Sequence, residues 1–249
     1  MEKMLEDLKA VGVGTEHIPI LKGVPTGIAM ITVGDNDNTI IVVPGANGKV
    51  DRAYIDSIKS ELEKFDMVVL QHEIPLETVH YVIEFCYEKG IKIVLNPAPA
   101  AAVPMEIIDK VTYVTPNEHE AVLIFGDELS TEDLLRKYPE KLVITQGSRG
   151  VSTCLKDGQI LNVPARKAQV VDTTGAGDTL NGAFSVQIAE GKAIEDALAY
   201  ANVAASLSTE KFGAQTGMPT AEEVETALKI LNGESVEKEI PVEMELITK

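Results

Sequence analysis

Four short, nearly continuous apolar runs, at residues 67–71, 91–96, 111–115 and 142–146, restrict the fold of this chain more than any other feature. A strand with one wet face alternates apolar and polar residues, whereas an unbroken run of this length marks a strand covered on both faces. Between the runs lie stretches with helical spacing, at 51–64, 75–89, 117–125 and 131–138. Strand and helix in alternation predict an α/β fold: a mostly parallel sheet with right-handed crossovers, in three α/β/α layers. The 249 residues, 45% of them hydrophobic, provide for one large domain or a domain with a small appendage.

The flanks read differently. Residues 1–10 carry Met4, Leu5 and Leu8 at helical spacing and stop at Gly12. Two β-branched runs, 26–33 and 39–44, flank Gly34-Asp35-Asn36-Asp37-Asn38 and predict a hairpin with a loop of several residues. A second hairpin is expected over 151–155 and 159–163, turning at Lys156-Asp157-Gly158. Three helices should follow. The first opens near Gly177 with Leu180, Ala183, Phe184 and Ile188 on one face; the second, 193–209, turns Ile194, Ala197, Leu198, Ala201 and Ala205 inward. In the third, 220–231, Thr220 and Glu223 have capping-box spacing. The tail, 234–249, fits either an edge strand or a loose end. No internal repeat or inter-domain linker interrupts the chain.

Charge and motif content exclude several functions. With 22 basic against 39 acidic residues the net charge is −17, which argues against binding nucleic acid or an anionic membrane. The apolar runs are too short to span a bilayer and the N-terminus has no signal-peptide pattern, so a cytoplasmic protein is expected. Cys86 and Cys154 lie in apolar stretches, as buried free thiols do. No G-x-x-x-x-G-K-[ST] or G-x-S-x-G is present, and Gly12-Val13-Gly14 follows a helix and reads as its stop. His17, His72, His80 and His119 have no zinc-ligand spacing with the cysteines.

Ligands of open parallel sheets gather beyond the carboxyl ends of the strands. Here those ends read Gln71-His72-Glu73, Asn96-Pro97-Ala98-Pro99, Thr115-Pro116-Asn117-Glu118-His119-Glu120 and Thr145-Gln146-Gly147-Ser148-Arg149-Gly150. Each alone is ordinary turn or cap chemistry. Joined by Asp172-Thr173-Thr174-Gly175-Ala176-Gly177-Asp178 they make a polar rim. That last stretch leaves the backbone nearly bare where a helix begins, so main-chain N–H groups can meet an anion with a carboxylate beside them.

The stretch from Asp172 through Asp178 and on through Thr179-Leu180-Asn181-Gly182-Ala183-Phe184 resembles the C-terminal signature of the ribokinase-like (PfkB) carbohydrate kinases. Further stretches resemble the same family, in family order: Thr26-Gly27-Ile28-Ala29-Met30-Ile31, Pro44-Gly45-Ala46-Asn47, Leu70-Gln71-His72-Glu73-Ile74-Pro75, Leu95-Asn96-Pro97-Ala98-Pro99-Ala100, Pro116-Asn117-Glu118-His119-Glu120 and Lys211-Phe212-Gly213-Ala214-Gln215. The similarity runs to about Leu231, and its motifs favour a ribose kinase over fructokinase or adenosine kinase relatives. It implies a ribokinase-like fold with a small β lid, residues 26–44 forming part of that lid. It also implies ATP-dependent phosphorylation of a sugar hydroxyl, D-ribose to ribose 5-phosphate.

By the same resemblance Asp178 is the base that takes the proton from the sugar hydroxyl, and the backbone of Gly175, Ala176 and Gly177 is the anion hole. The helix N-terminus is expected to favour the ionised form of Asp178. Thr145, Gln146, Gly147, Ser148, Arg149 and Gly150 line the nucleotide together with Gly177; Gln146 stands where the family usually has an apolar residue. Asn96 meets the phosphates, Asn202 lies by the adenine or ribose, and Glu73 contacts the sugar. Asn117 and Glu120 hold magnesium through water, or cap their helix, or both. Asp172, with carbonyls near Thr174, Ser208, Lys211, Gly213 and Gly217, forms a site for potassium.

The resemblance departs at the front. Residues 1–18 match a segment that in the family follows an opening region with a first strand, a sugar-binding Asp and a Gly-Gly-Lys-Gly-Ala-Asn element. The expectation is an N-terminally truncated single domain with part of its sugar side and lid missing, an exposed sheet edge, and a homodimer through the lid as one way to cover it. The alternative reading is a non-catalytic protein that binds nucleotide or a partner.

Overall fold

The computed structural model describes residues 2–34 and 37–234, and the chain divides into two compact units, Met1–Asn162 and Val163–Lys249. The expected edge strand or loose end of the tail lies almost wholly outside the described residues.

In the first unit, helix α1 (Glu2–Ala10) precedes an antiparallel hairpin of β1 (Ile28–Gly34) and β2 (Asp37–Val43). The ladder runs from Ile28↔Val43 to Gly34↔Asp37. The connection is therefore the two residues Asp35 and Asn36, themselves outside the described residues, instead of a loop of several. Backbone pairing continues through the polar Asp37 and Asn38, which side-chain preference alone assigns to the turn.

Helix α2 (Arg52–Leu62) starts where the Asp51 side chain accepts the N–H of Tyr54 at 2.9 Å. Then come β3 (Met67–Leu70), α3 (Leu76–Lys89), β4 (Lys92–Leu95), a one-turn α4 (Met105–Ile108), β5 (Tyr113–Val114), α5 (Glu118–Phe125), α6 (Thr131–Lys137) and β6 (Val143–Thr145). Gly90 ends α3 in the left-handed region at φ 72°, which returns the Ile91 N–H to the carbonyl of Cys86.

Strands β3, β4 and β5 pair in parallel in sequence order, and bridges Val114↔Leu142 and Asn117↔Thr145 carry the parallel direction on to β6. Beyond β6 the direction changes. Strand β7 (Val151–Cys154) pairs antiparallel with β6, and β8 (Ile160–Val163) follows β7 after the turn at Asp157-Gly158. The second expected hairpin thus extends the sheet. Ile93, Leu95, Leu142 and Ile144 are enclosed in the core with Ile83 of α3 and Ile108 of α4, as the uninterrupted apolar runs require. Cys86 and Cys154 are buried free thiols, and burial pushes the Cys86 thiol up to about 11.

The second unit contains α7 (Ala176–Ala189), α8 (Ile194–Ser208) and α9 (Ala221–Leu231). Leu180, Phe184 and Ile188 of α7 are buried, as are Ile194, Ala197, Leu198 and Ala201 of α8; Ala183 and Ala205 are half-buried. Val224 of α9 packs on Val203 and Ala204. The capping box of α9 is present, with the Thr220 N–H donating to Glu223 Oε2 at 2.7 Å and the Glu223 N–H to Thr220 Oγ1 at 3.2 Å. Among the described residues, no helix is long and apolar enough to cross a membrane.

Candidate active site

In the second unit the anion loop closes on Gly175. Its φ of +80° is one that side chains disfavour, and a Cβ added there would lie 3.1 Å from that of Ala214. Gly175 therefore lets the chain turn sharply into α7 and lets the segment around Ala214 approach. The helix is anchored by Thr179, whose N–H and hydroxyl both donate to the Gly175 carbonyl at 2.9 Å. No side chain caps its N-terminus, and a Cβ on Gly177 would meet nothing within 4 Å. The Ala176 N–H meets the Thr173 carbonyl at 3.2 Å, which leaves the Gly175 and Gly177 N–H groups as donors with open space beside Gly177, the physical requirement of an anion site.

Asp178 sits in that turn and is an exposed residue. Burial of its carboxyl nonetheless pushes its pKa above the ordinary 3.8, against a smaller opposite pull from its own backbone N–H. The direction is opposite to the one expected from the helix N-terminus, and desolvation of the carboxyl is its main cause.

Asp172 links two turns. Its Oδ1 accepts the Thr174 N–H and its Oδ2 the Gly213 N–H, both at 2.9 Å, across 41 residues of sequence. Hydrogen bonds from the Thr174 side chain and backbone, and from the Gly213 backbone, hold the Asp172 pKa below its ordinary value. At the far side of the second turn, the carbonyl oxygens of Ser208, Gly213 and Lys211 lie 2.6, 2.9 and 3.6 Å from where a Cβ on Gly217 would stand. Only a glycine lets these oxygens converge so closely. The Lys211 side chain points to Glu223 at 3.1 Å, so it is the main chain of Lys211 that faces this cluster. Asn202 is buried and its amide donates to the carbonyls of Val163 at 3.2 Å and Pro164 at 2.8 Å.

In the first unit the strand ends form a rim. Asn96, 7% exposed at the end of β4, bonds through its N–H to the Leu70 carbonyl at 2.9 Å. Glu73 is exposed on the loop after β3. Asn117 and Glu120 form a complete capping box: Asn117 Oδ1 accepts the Glu120 N–H at 2.9 Å, and Glu120 Oε2 accepts the Asn117 N–H at 2.8 Å. Burial pushes the Glu120 carboxyl up from its ordinary value. The neighbouring loop folds as a 3-10 turn, Gly147–Arg149, with the Gln146 N–H meeting the Gly150 carbonyl at 2.8 Å. Gln146 Oε1 accepts the Ser152 hydroxyl at 2.7 Å, and Arg149 pairs with Glu118. The parallel bridge Asn117↔Thr145 brings this loop beside the Asn117–Glu120 box.

A model of the pfkB family of carbohydrate kinases matches residues 2–221. The chain belongs to that family. Among pfkB-family relatives, the ribokinase of Bacillus subtilis is 48% identical over 225 residues, which is 90% of this chain and 76% of the relative. The crystal structure of Thermotoga maritima ribokinase is 34% identical with a TM-score of 0.80, over 92% of this chain and 77% of that one. The structure of Arabidopsis thaliana ribokinase complexed with ribose and ATP is 29% identical with a TM-score of 0.79, over 89% of this chain and 77% of that one.

The pfkB-family motifs therefore sit on two sets of elements. In the first unit Asn96, Asn117, Glu120 and Thr145 through Gly150 share the strand-end rim; in the second, Asp172 and Thr174 lead into Gly175 through Asp178 at the start of α7, tied to the Ser208–Gly217 segment through the Asp172–Gly213 bond and the approach of Ala214 to Gly175. Sequence reasoning placed one further polar residue, His72, on the rim without giving it a role. His72 is 7% exposed and bonded to the Ala98–Pro99 backbone, a long-range contact with no local signature; its place beside Glu73 at a strand end was the available signal.

Proposed function

We propose that this chain transfers the terminal phosphoryl group of ATP to D-ribose, giving ribose 5-phosphate and ADP. The start of α7 carries the reading: a glycine turn, uncapped main-chain donors and a carboxylate occupy one helical turn. Phosphoryl transfer needs alignment and charge stabilisation above all, with modest help from a base. The sugar hydroxyl attacks the terminal phosphorus, the bond to the bridging oxygen of ADP breaks, and the hydroxyl proton passes to Asp178. The N–H groups at Gly175 and Gly177 stabilise the charge on the phosphoryl oxygens, and the Ala176 N–H joins them by exchanging its bond to the Thr173 carbonyl for one to the phosphoryl group. The raised pKa of Asp178 makes it a better proton acceptor than an ordinary aspartate while leaving it anionic above that pKa.

Thr145, Gln146, Gly147, Ser148, Arg149 and Gly150, with Gly177, serve the nucleotide, Asn96 its phosphates and Glu73 the sugar. Asn202 supports the nucleotide by holding the Val163–Pro164 backbone. Bound magnesium supplies charge neutralisation on the phosphates; Asn117 and Glu120 would hold it through its waters, one Glu120 oxygen being engaged in the cap and the other open to such a bond. The oxygen-only set of Asp172 and the carbonyls of Thr174, Ser208, Lys211, Gly213 and Gly217 suits a hard monovalent cation, potassium, which would stiffen the anion loop. Residues 1–249 serve as one ribokinase-like domain of a cytoplasmic enzyme, with residues 26–44 as a lid hairpin that supports a homodimer.

The reading is supported by the Arabidopsis relative, whose structure holds ribose and ATP. Its test is to incubate the purified chain with ATP, magnesium and ribose and follow the products by phosphorus NMR. A new phosphomonoester on the ribose 5-oxygen, appearing one for one with ADP, is expected. ADP forming equally without sugar, or no turnover in a correctly folded sample, would refute it.

A further inference from the structure

His72 is an expensive choice for its position. It is 7% exposed, its Nε2 has no hydrogen-bond partner among the described residues, and burial lowers its pKa against a smaller opposite pull from the Pro99 carbonyl. A leucine would fill the site without a buried nitrogen left bare. What the imidazole adds is one contact. Nδ1 lies 3.2 Å from the carbonyl of Pro99, and because a carbonyl only accepts, Nδ1 carries the proton and the ring is the neutral Nδ1–H tautomer. The His72 backbone N–H donates to the carbonyl of Ala98 at 2.8 Å. One residue thus fastens the loop that bears Glu73 to the loop that follows Asn96, at two successive carbonyls.

We infer that His72 is a positioning residue: a neutral imidazole clasp that sets Glu73, and through it the sugar, relative to the Asn96–Pro99 loop. The inference rests on the proposed role of Glu73 in sugar binding. Asn is the conservative replacement, because its side-chain amide can place an N–H near the position of Nδ1, whereas Leu fills the volume without a donor.

The experiment compares wild type, His72→Leu, His72→Asn and Glu73→Ala by hydrogen exchange over residues 70–76 and 96–100, by thermal unfolding, and by ribose KM and kcat at saturating ATP. The clasp predicts that in His72→Leu both segments lose protection together while the melting temperature holds or rises. Ribose KM should increase about tenfold with a smaller change in kcat, since a misplaced binding group acts chiefly on binding. His72→Asn should stay within about threefold of wild type in KM and keep the protection. Unchanged exchange in His72→Leu overturns the clasp, and so does joint loosening with wild-type ribose KM when Glu73→Ala raises that KM. A melting temperature that falls in both variants, with exchange rising throughout the protein, assigns His72 to packing and also overturns it. Joint loosening of the two segments with Glu73→Ala silent upholds the clasp and removes Glu73 from the sugar reading instead.

Discussion

At Gly175 a single methyl group decides whether the anion loop closes. Gly175→Ala adds the strain of φ +80° and a 3.1 Å approach to Ala214. A loss of at least about 1 kcal/mol is expected, read as a melting temperature lower by roughly 2–4 °C, together with a fall in kcat. Asp178 presents the opposite balance between stability and function. Its folded-state pKa is raised by burial, so its contribution to stability is complete below the unfolded value and is lost as pH rises through the folded value. Asp178→Asn should therefore melt at or above the wild-type temperature at neutral pH while losing activity. Turnover needs the ionised base, so the acid limb of the kcat/KM profile, which reports the free enzyme, should have an apparent pKa above 3.8. That limb should disappear in the variant; a limb that persists would assign it to another group.

Elements show which parts of the site the sequence discloses. The four covered strands were legible because burial on both faces leaves an unbroken apolar run, and the Asn117–Glu120 and Thr220–Glu223 boxes because their partners lie three residues apart. The turn into α7 was legible for the same local reason. The change of sheet direction at β7, the Asp172–Gly213 link and the His72 clasp were not, since each depends on partners brought together by folding across the chain. The ionisation of Asp178 was misjudged because a helix end is a local feature and desolvation is a tertiary one.

The Asp172 link makes a prediction at this scale. Its folded-state pKa is lowered, so its stabilisation is present above the unfolded value and lost as pH falls through the folded value. Wild type should lose melting temperature over that acid window more steeply than Asp172→Asn. In protein freed of monovalent cations except a bulky ammonium ion, added potassium should raise kcat several-fold, and Asp172→Ala should abolish the response. An identical potassium response in the variant would remove Asp172 from the cation site.

For the whole molecule, surface composition sets the expectation for assembly. Ile28, Met30, Ile41, Val42 and Val43 of the β1–β2 hairpin are each about half exposed, which places apolar side chains on a two-stranded sheet too small to be stable alone. With a net charge of −17, association has to overcome repulsion, so a dimer through this hairpin should tighten as salt is added. Light scattering should show that dimer at micromolar concentration, and Ile41→Asp should give a monomer with unaltered far-ultraviolet circular dichroism. A dimer unaffected by the substitution would place the interface elsewhere.

The family match and the relatives named ribokinase support sugar phosphorylation, and the geometry at the start of α7 supports the proposal of Asp178 as its base. Ribose-dependent ADP formation, measured side by side for wild type and Asp178→Asn under saturating ATP, magnesium and potassium, tests this most directly. Wild type should turn over with ribose, and the variant should be slower by about 10² to 10⁴ with ATP affinity nearly unchanged. Equal turnover by the two proteins would contradict the assignment of Asp178.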